Sequence, residues 1–159
     1  QEAIIPPVRE LIDGMAMFVE RHADSGGLRI DDGEELEEYC YYAAGTVGTL
    51  ITNLLTRGEI AADRRQQLYD TAVDFGLLLQ LVNISKDVYD DYTEEHTVYL
   101  PAEWLAEAGF DQESVDAPDN REGAATVVSR TVRHARPFLD DAERYLQATQ
   151  LRHVTTMAA

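Results

Sequence analysis

One segment, from about Ala61 to Asp91, reads as a single long helix, and it constrains the fold more than any other feature. Strictly alternating strand patterns are absent from the sequence, while further helical periods precede and follow this segment. Four more helices are predicted, at Val8 to about His22, Asp31–Glu35 to about Arg57, Pro101 to Ala108, and Glu122 to about Thr149 with a kink at Pro137. The sequence therefore predicts an all-α protein, with no internal repeat and no domain boundary.

Four polar side chains share one side of the long helix near its end. Gln80, Asn83, Asp87 and Asp91 fall at about 0°, 300°, 340° and 20° around the axis, at ~100° per residue. Two carboxylates one turn apart, preceded by amides, suit Mg²⁺, which takes one or two protein carboxylates and completes its shell with water and phosphate oxygens. The alternative is an ordinary charged helix end, since 30 of the 159 residues are Asp or Glu. Apolar neighbours predict that Gln80 and Asn83 are buried.

A second acidic pair, Asp70 and Asp74, has the same spacing on the same helix. Helical geometry turns this pair about 100° away from Asp87 and Asp91. We therefore interpret Asp70 and Asp74 as solvated surface.

The preceding helix carries small residues where bulky ones are usual. Steps of four align Tyr39, Ala43, Val47 and Ile51 along one side, with Gly48 beside them. Either another helix packs closely against such a surface or a flexible apolar ligand lies along it, and packing is the commoner reason. Tyr39 adds a hydroxyl that needs a partner and a ring face that attracts cations.

The two constellations together suit the ionisation of an allylic diphosphate. Mg²⁺ would neutralise the leaving diphosphate with help from Lys86, and walls free of water would protect the carbocation. Tyr39 would stabilise that cation or move a proton.

The charge of the chain excludes some partners. The formal net charge is −17 and the 13 basic residues are scattered, so we expect no binding to nucleic acid or to anionic lipid headgroups. Lys86 is the only lysine among abundant acidic residues, which is typical of a surface adapted to high salt. The single cysteine, Cys40, fits a reducing compartment, so we predict a cytoplasmic protein.

Three runs of sequence share one resemblance. They are YCYYAAGTVG from Tyr39, GLLLQLVNISKDVYDD from Gly76, and VYLPAEW from Val98. Together they resemble the squalene and phytoene synthases, which join two prenyl diphosphates head to head through a cyclopropyl diphosphate intermediate. The resemblance implies an isoprenoid synthase helical bundle, and it extends clearly from about Pro7 to Trp104.

The resemblance also implies roles for individual residues. Asp87 and Asp91, with Asn83, would bind Mg²⁺, and Gln80 with Asn83 would support the diphosphate site. Tyr39 matches the catalytic tyrosine, so the catalytic set would be Tyr39, Asp87 and Asp91. The other substrate-binding positions are matched by Lys86, Ala43, Val47, Gly48, Ile51, Gly76, Leu79 and Tyr99.

Three departures from the family pattern bear on function. No D-x-x-x-D precedes Tyr39, so we expect the helices with the family's first aspartate-rich motif to be missing. The family continues past the point where this chain stops, so residues 1–159 are expected to form one partial domain that also lacks the C-terminal helices. Lys86 and Thr97 stand where the family usually has arginine.

The motifs divide between the two branches of the family. YCYYAAGTVG leans toward phytoene synthases, whereas GLLLQ, N-I-x-K-D and ELIDGM lean toward squalene synthases. By this analogy we predict condensation of two farnesyl diphosphates through presqualene diphosphate to squalene, with Mg²⁺ and NADPH as cofactors. The first alternative is phytoene formation from two geranylgeranyl diphosphates. The second alternative is a non-catalytic helical module or an inactive fragment. Because the products are lipids, peripheral membrane association is a further expectation.

The acidic surface predicts that salt stabilises the protein. The midpoint of thermal unfolding should rise between about 0.1 M and about 1 M KCl, because screening over this range relieves repulsion among carboxylates. KCl is the proper salt for this measurement, since sulfate strengthens apolar burial in any protein. A midpoint that stays constant or falls would contradict adaptation to high salt.

Overall fold

The computed structural model describes residues 3–149 of the chain. Within this range the α-helices are α1 (Ile5–Arg21), α2 (Gly33–Cys40), α3 (Thr46–Leu55), α4 (Ala62–Glu95), α5 (Ala102–Glu107), α6 (Arg121–Ala135) and α7 (Leu139–Thr149). A π-helical turn joins α2 to α3 at Tyr41–Gly45, and short 3₁₀ turns lie at Gln112–Ser114, Pro118–Asn120 and Arg136–Phe138. The described residues form no β-strand beyond one isolated bridge between Arg29 and Val98, and the predicted all-α class is confirmed.

The long helix α4 is the axis around which the other helices pack. Its 34 residues span about 50 Å at ~1.5 Å per residue. α2, α3, α6 and α7 all contact it, and α1 packs against α3. None of the helices described here combines the length and the apolar character needed to cross a membrane.

Two local interruptions shape the bundle. The predicted kink at Pro137 is confirmed, because α6 ends at Ala135 and α7 begins at Leu139 after a 3₁₀ turn. The sequence also predicted one continuous helix from about Asp31 to Arg57. The chain is helical from Gly33 to Leu55, so this extent is confirmed, but a π-helical turn interrupts the α-helical hydrogen bonding between α2 and α3.

Two apolar clusters stabilise the bundle. The larger one surrounds the C-terminal half of α4 and contains Leu36, Leu77, Leu81, Ile84 and Trp104 among its buried side chains. The smaller one joins the N-terminal half of α4 to α7 and contains Leu68, Ala72, Tyr145 and Ala148. The two halves of α4 therefore bury different sides, which suits a helix that has neighbours all along its length.

The acidic pair that was interpreted as solvated surface divides in two. Asp70 is exposed and accepts a hydrogen bond from Gln66 at 2.7 Å, as expected of a surface residue. Asp74 is half-buried near α7, where burial raises its pKa and a hydrogen bond with Asp141 raises it further. The surface interpretation was wrong for Asp74, because α7 covers that part of α4.

α3 and the π-helical turn before it approach α4 so closely that glycine is needed at two contacts. A Cβ atom on Gly48 would overlap the carbonyl oxygen of Ala72, and one on Gly76 would overlap the carbonyl oxygen of Ala44. Backbone atoms cannot move aside cheaply, so a side chain at either position forces the helices apart. Close helix packing, the commoner of the two explanations for the small residues beside Tyr39, therefore applies to Gly48.

Replacement of Gly76 by alanine tests this contact. Gly76→Ala should lower the free energy of unfolding by about 1–3 kcal/mol, since the added methyl group meets backbone. Gly58→Ala is the matched control, because nothing lies within 4 Å of a Cβ at that position and the change should be neutral or slightly stabilising. Urea unfolding measures both variants, and equal stability for the two would contradict the close approach.

Candidate functional site

Two tyrosine hydroxyls meet at the centre of the candidate site. Tyr39 lies on α2 with 5% of its surface exposed, and Tyr99 lies in the segment that follows α4. The Tyr39 hydroxyl donates a hydrogen bond to the Tyr99 hydroxyl at 3.1 Å, and the two ring centroids are 4.8 Å apart. Phe18 of α1 packs edge-on against the Tyr39 ring at 5.5 Å. The catalytic tyrosine implied by the resemblance is thus fixed by α1 and by the segment after α4.

Both tyrosines stay protonated under physiological conditions. Burial is the largest cause that raises the pKa of Tyr39, and the charges of Tyr99 and Asp91 add to it. Burial also raises the pKa of Tyr99, where the hydrogen bond from Tyr39 acts in the opposite direction and the charge of Asp91 adds to the rise. The pair therefore offers neutral hydroxyls and aromatic faces rather than phenolates.

Asp91 lies near enough to both phenols to act on them electrostatically. The pKa of Asp91 itself is raised to about 6, first by burial and then by the charges of Glu95, Asp87 and Asp90. A divalent cation would relieve this repulsion, so the donor set fits Mg²⁺. Within residues 3–149 no group of three or more His, Cys, Asp or Glu side chains is arranged to hold a metal ion. In the described part of the chain Asp87 and Asp91 are the carboxylates that would hold Mg²⁺, and phosphate oxygens and water would fill the other positions.

Lys86 links two members of the polar stripe. Its Nζ lies 3.7 Å from Oδ2 of Asp87 and donates a hydrogen bond to Oδ1 of Asn83 at 3.3 Å. The Asp87 side chain is 42% exposed and the Lys86 side chain 60% exposed, so both remain accessible to an anionic ligand. The stripe therefore presents a lysine cation beside one of its two carboxylates.

The burial predicted for the two amides of the stripe was only partly right. Gln80 is half-buried, but Asn83 is exposed. Leu79 and Val82, whose apolar character suggested a buried environment, are themselves 51% and 45% exposed. The core contacts of this part of α4 lie on the opposite side of the helix, which explains the difference.

The predicted apolar positions fall into three groups. Gly48 and Gly76 are buried where α3 and the π-helical turn contact α4 closely. Ala43 and Val47 are half-buried, and the exposed group comprises Ile51 and Leu79. Three surface grooves of about 210, 530 and 650 Å³ are lined by other residues and include neither Tyr39 nor the two aspartates.

Sequence reasoning missed the arginine that holds the segment carrying Tyr99. Arg29 is 9% exposed, and its guanidinium donates to the carbonyl oxygens of Leu28 and His96, while its Nε donates to Glu113 at 3.0 Å. His96 ends α4 in the left-handed conformation, at φ 52°. A charged residue between Leu28 and Ile30 was the available signal, because an arginine in an apolar run is buried only when it is paired.

A buried amide fixes the same segment from its other side. The Gln112 side chain donates to the carbonyl oxygens of Ile30 and Leu100, at 2.7 and 3.0 Å. Val98 donates its N–H to Leu28 at 2.9 Å, and Ile30 donates to Val98 at 3.3 Å. The backbone on both sides of Tyr99 is therefore tied to the loop between α1 and α2.

Comparison with known proteins identifies the family. A sequence model described as squalene/phytoene synthase matches residues 1–159. The 15-cis-phytoene synthase of Pantoea ananas is 33% identical over 147 residues, covering 92% of this chain and 43% of the relative. That of Enterobacter agglomerans is 37% identical over 120 residues, covering 76% and 38%. The chain belongs to the squalene/phytoene synthase family, and it spans less than half the length of these curated relatives.

A solved structure shares the fold. The crystal structure of squalene synthase HpnC from Alicyclobacillus acidocaldarius superimposes with a TM-score of 0.65 at 21% sequence identity. The match covers 96% of this chain and 56% of that one. The helical bundle described above is therefore the fold of a known synthase.

The raised pKa of Asp91 gives a test by thermal unfolding. The folded protein holds this proton more tightly than the unfolded chain does, so stability should fall as pH rises from about 4 through about 6. In a chelating buffer at about pH 7.5, Asp91→Asn should raise the unfolding midpoint, and the gain should largely disappear by about pH 4. The control is Asp70→Asn, an exposed position on the same helix whose replacement should change the midpoint little. Loss of stability in Asp91→Asn at neutral pH would contradict this account.

Proposed function

We propose that the protein catalyses the Mg²⁺-dependent, head-to-head condensation of two prenyl diphosphates. The observation that carries the proposal is that the charge of Asp91, one helical turn from Asp87, acts on the pKa values of the hydrogen-bonded pair Tyr39 and Tyr99. Membership of the squalene/phytoene synthase family supports the same reaction class.

The polar stripe would ionise the substrate. Asp87 and Asp91 would hold Mg²⁺, which when bound supplies positive charge to the departing diphosphate. Lys86 adds a cation beside Asp87, where it would bind the same leaving group. The bond between the allylic carbon and the diphosphate oxygen breaks, a carbon–carbon bond joins the two chains, and one proton is released.

The tyrosine pair would serve the cation and the proton. The rings of Tyr39 and Phe18 present π-faces and edges in a buried environment, and a ring face attracts an allylic cation. Because the Tyr39 hydroxyl is neutral and donates to Tyr99, it would relay a proton by passing its own to Tyr99 as it accepts another, and an oxygen of the departing diphosphate would be the final acceptor. Tyr39 would thus stabilise the cation through its ring or relay the proton through its hydroxyl.

The length of the prenyl chain is the finer part of the proposal. The relatives compared above carry the names of phytoene synthases, which favours two geranylgeranyl diphosphates as substrates. The motif analysis favoured squalene formation from two farnesyl diphosphates, and the structural relative bears a squalene synthase name, although its identity of 21% supports the fold alone. We propose phytoene formation first and squalene formation, with NADPH as the reductant, as the alternative.

Product analysis tests the reaction and the substrate together. The full chain is incubated with Mg²⁺ and either geranylgeranyl or farnesyl diphosphate, with and without NADPH, and the products are extracted and identified. We expect phytoene from geranylgeranyl diphosphate without NADPH. If squalene is formed from farnesyl diphosphate with NADPH and no phytoene is formed, squalene formation replaces phytoene formation as the preferred proposal. A farnesyl thiodiphosphate is an unreactive analogue that tests binding alone. If the chain binds this analogue in the presence of Mg²⁺ but forms no product from either diphosphate, a non-catalytic module is favoured.

Variants of the stripe provide the controls. Asp87→Asn and Asp91→Asn should each lower kcat by about 100-fold or more, because each removes a metal ligand. Asp70→Asn, on the same helix, should leave kcat unchanged. Tyr39→Phe keeps the ring and removes the hydroxyl, so a large loss of kcat would assign proton transfer rather than cation stabilisation to this residue.

A further inference from the structure

The π-helical turn between α2 and α3 changes the register of the helix that follows it. The N–H of Thr46 donates to the carbonyl of Tyr41, five residues back, where an α-helix would reach four. A turn of this kind inserts one residue relative to the α-helical repeat. It therefore delays the rotation of α3 by about 100° with respect to α2.

This delay brings the tyrosine and the apolar positions into one line. In an unbroken α-helix, Val47 and Ile51 would lie about 80° and 120° from Tyr39 around the axis. With one residue inserted, they lie about 20° from Tyr39, on either side of it. In a regular α-helix, residues spaced by four rotate steadily around the axis, so their side chains form an inclined row. The inserted residue cancels this rotation, and the row from Tyr39 to Ile51 runs parallel to the axis.

Burial supports the corrected register independently. On α2, Leu36 and Cys40 are fully buried and lie about 60° and 100° from Tyr39. With the inserted residue, the buried Gly48 and Thr52 of α3 fall at about 80° and 120°, on the same side. Without it they would fall about 180° and 220° from Tyr39, and the core side would not be continuous from α2 to α3.

Two buried residues hold the turn. Thr46 is 2% exposed, and its hydroxyl donates to the carbonyl of Tyr42 at 2.7 Å, within the turn itself. Gly45 is buried against α4, where a Cβ atom would lie only 3.1 Å from Leu77 and 3.2 Å from Val73. The turn is thus stabilised by the hydrogen bond of the Thr46 hydroxyl and by the close packing of Gly45 against α4.

We propose that the π-helical turn, held by Thr46, is a positioning device that sets Tyr39 at the head of the row formed by Val47 and Ile51. A prenyl chain lying along that row would present its reacting end to Tyr39. This inference rests on the proposed function and adds a positioning residue to it, since Thr46 acts through Tyr39 and not on the substrate.

Thr46→Val tests the proposal, because valine keeps the shape and removes the hydroxyl. Thr71→Val is the matched control. Thr71 is also fully buried, and its hydroxyl donates to the carbonyl four residues back, that of Gln67 at 2.7 Å, within the regular helix α4. Both variants should lose similar stability in thermal unfolding. Only Thr46→Val should lower kcat, by about 10- to 100-fold with KM for the prenyl diphosphate changed far less, because a displaced catalytic group costs rate rather than binding.

Two further variants separate positioning from general damage. Thr46→Ser restores the hydroxyl and should restore kcat. Tyr39→Leu removes both the ring and the hydroxyl, and adding Thr46→Val to it should cost little more than Tyr39→Leu alone, because both changes act on the same group. Equal kcat for Thr46→Val and Thr71→Val, or fully additive losses in the double variant, would overturn the proposal.

A measurement independent of turnover keeps the two proposals apart. Coupling across the hydrogen bond from the Thr46 amide to the Tyr41 carbonyl, measured by NMR, should be present in the wild type and in Thr71→Val. In Thr46→Val the amide should couple to Tyr42 instead. Persistence of the Tyr41 coupling in that variant would overturn the role of Thr46, whereas a wild type inactive with both diphosphates would overturn the proposed function alone.

Discussion

The close approach of α3 to α4 is the contact on which the candidate site depends. Gly48 and Gly76 let the two backbones touch, and this contact fixes the helix that carries the aspartates relative to the helix that continues from Tyr39. Given this contact, three further features position the residues of the site. These are the hydrogen bond between two tyrosines, the segment tied down by Arg29 and Gln112, and a turn that sets the register.

The helices were predictable because each leaves a regular apolar period and ends at glycine, proline or a polar loop. The π-helical turn was not predictable in this way. An inserted residue leaves the period intact on both of its sides, and only the phase between them changes. The same limit applies to Asp74, since a period shows which side of α4 is polar but not that α7 will cover it.

The residues of the candidate site were proposed from the sequence, whereas their contacts were not. Asp87 and Asp91 stand out by spacing, and Tyr39 and Tyr99 by resemblance. The hydrogen bond between the two tyrosines joins positions 60 residues apart, and no local pattern encodes such a pair. The exposure of Asn83 was predicted wrongly because the leucines around it were assumed to face the core, whereas Leu79 faces outward. Local sequence therefore indicated the chemistry of the site, while the tertiary packing decided its geometry.

The rigidity of α4 limits how this chain can vary in length. Gly76 must face the π-helical turn while Asp91 lies near the tyrosines, with Asp87 one turn before it, and one uninterrupted helix carries all three. Adding or removing a single residue between them would swing the aspartates by about 100° relative to the glycine. Substitutions in this interval are tolerable where size permits, but indels are not. The irregular stretch between α5 and α6 has no such phase to keep, so insertions are tolerable there away from Gln112 and Glu113, which hold the Tyr99 segment.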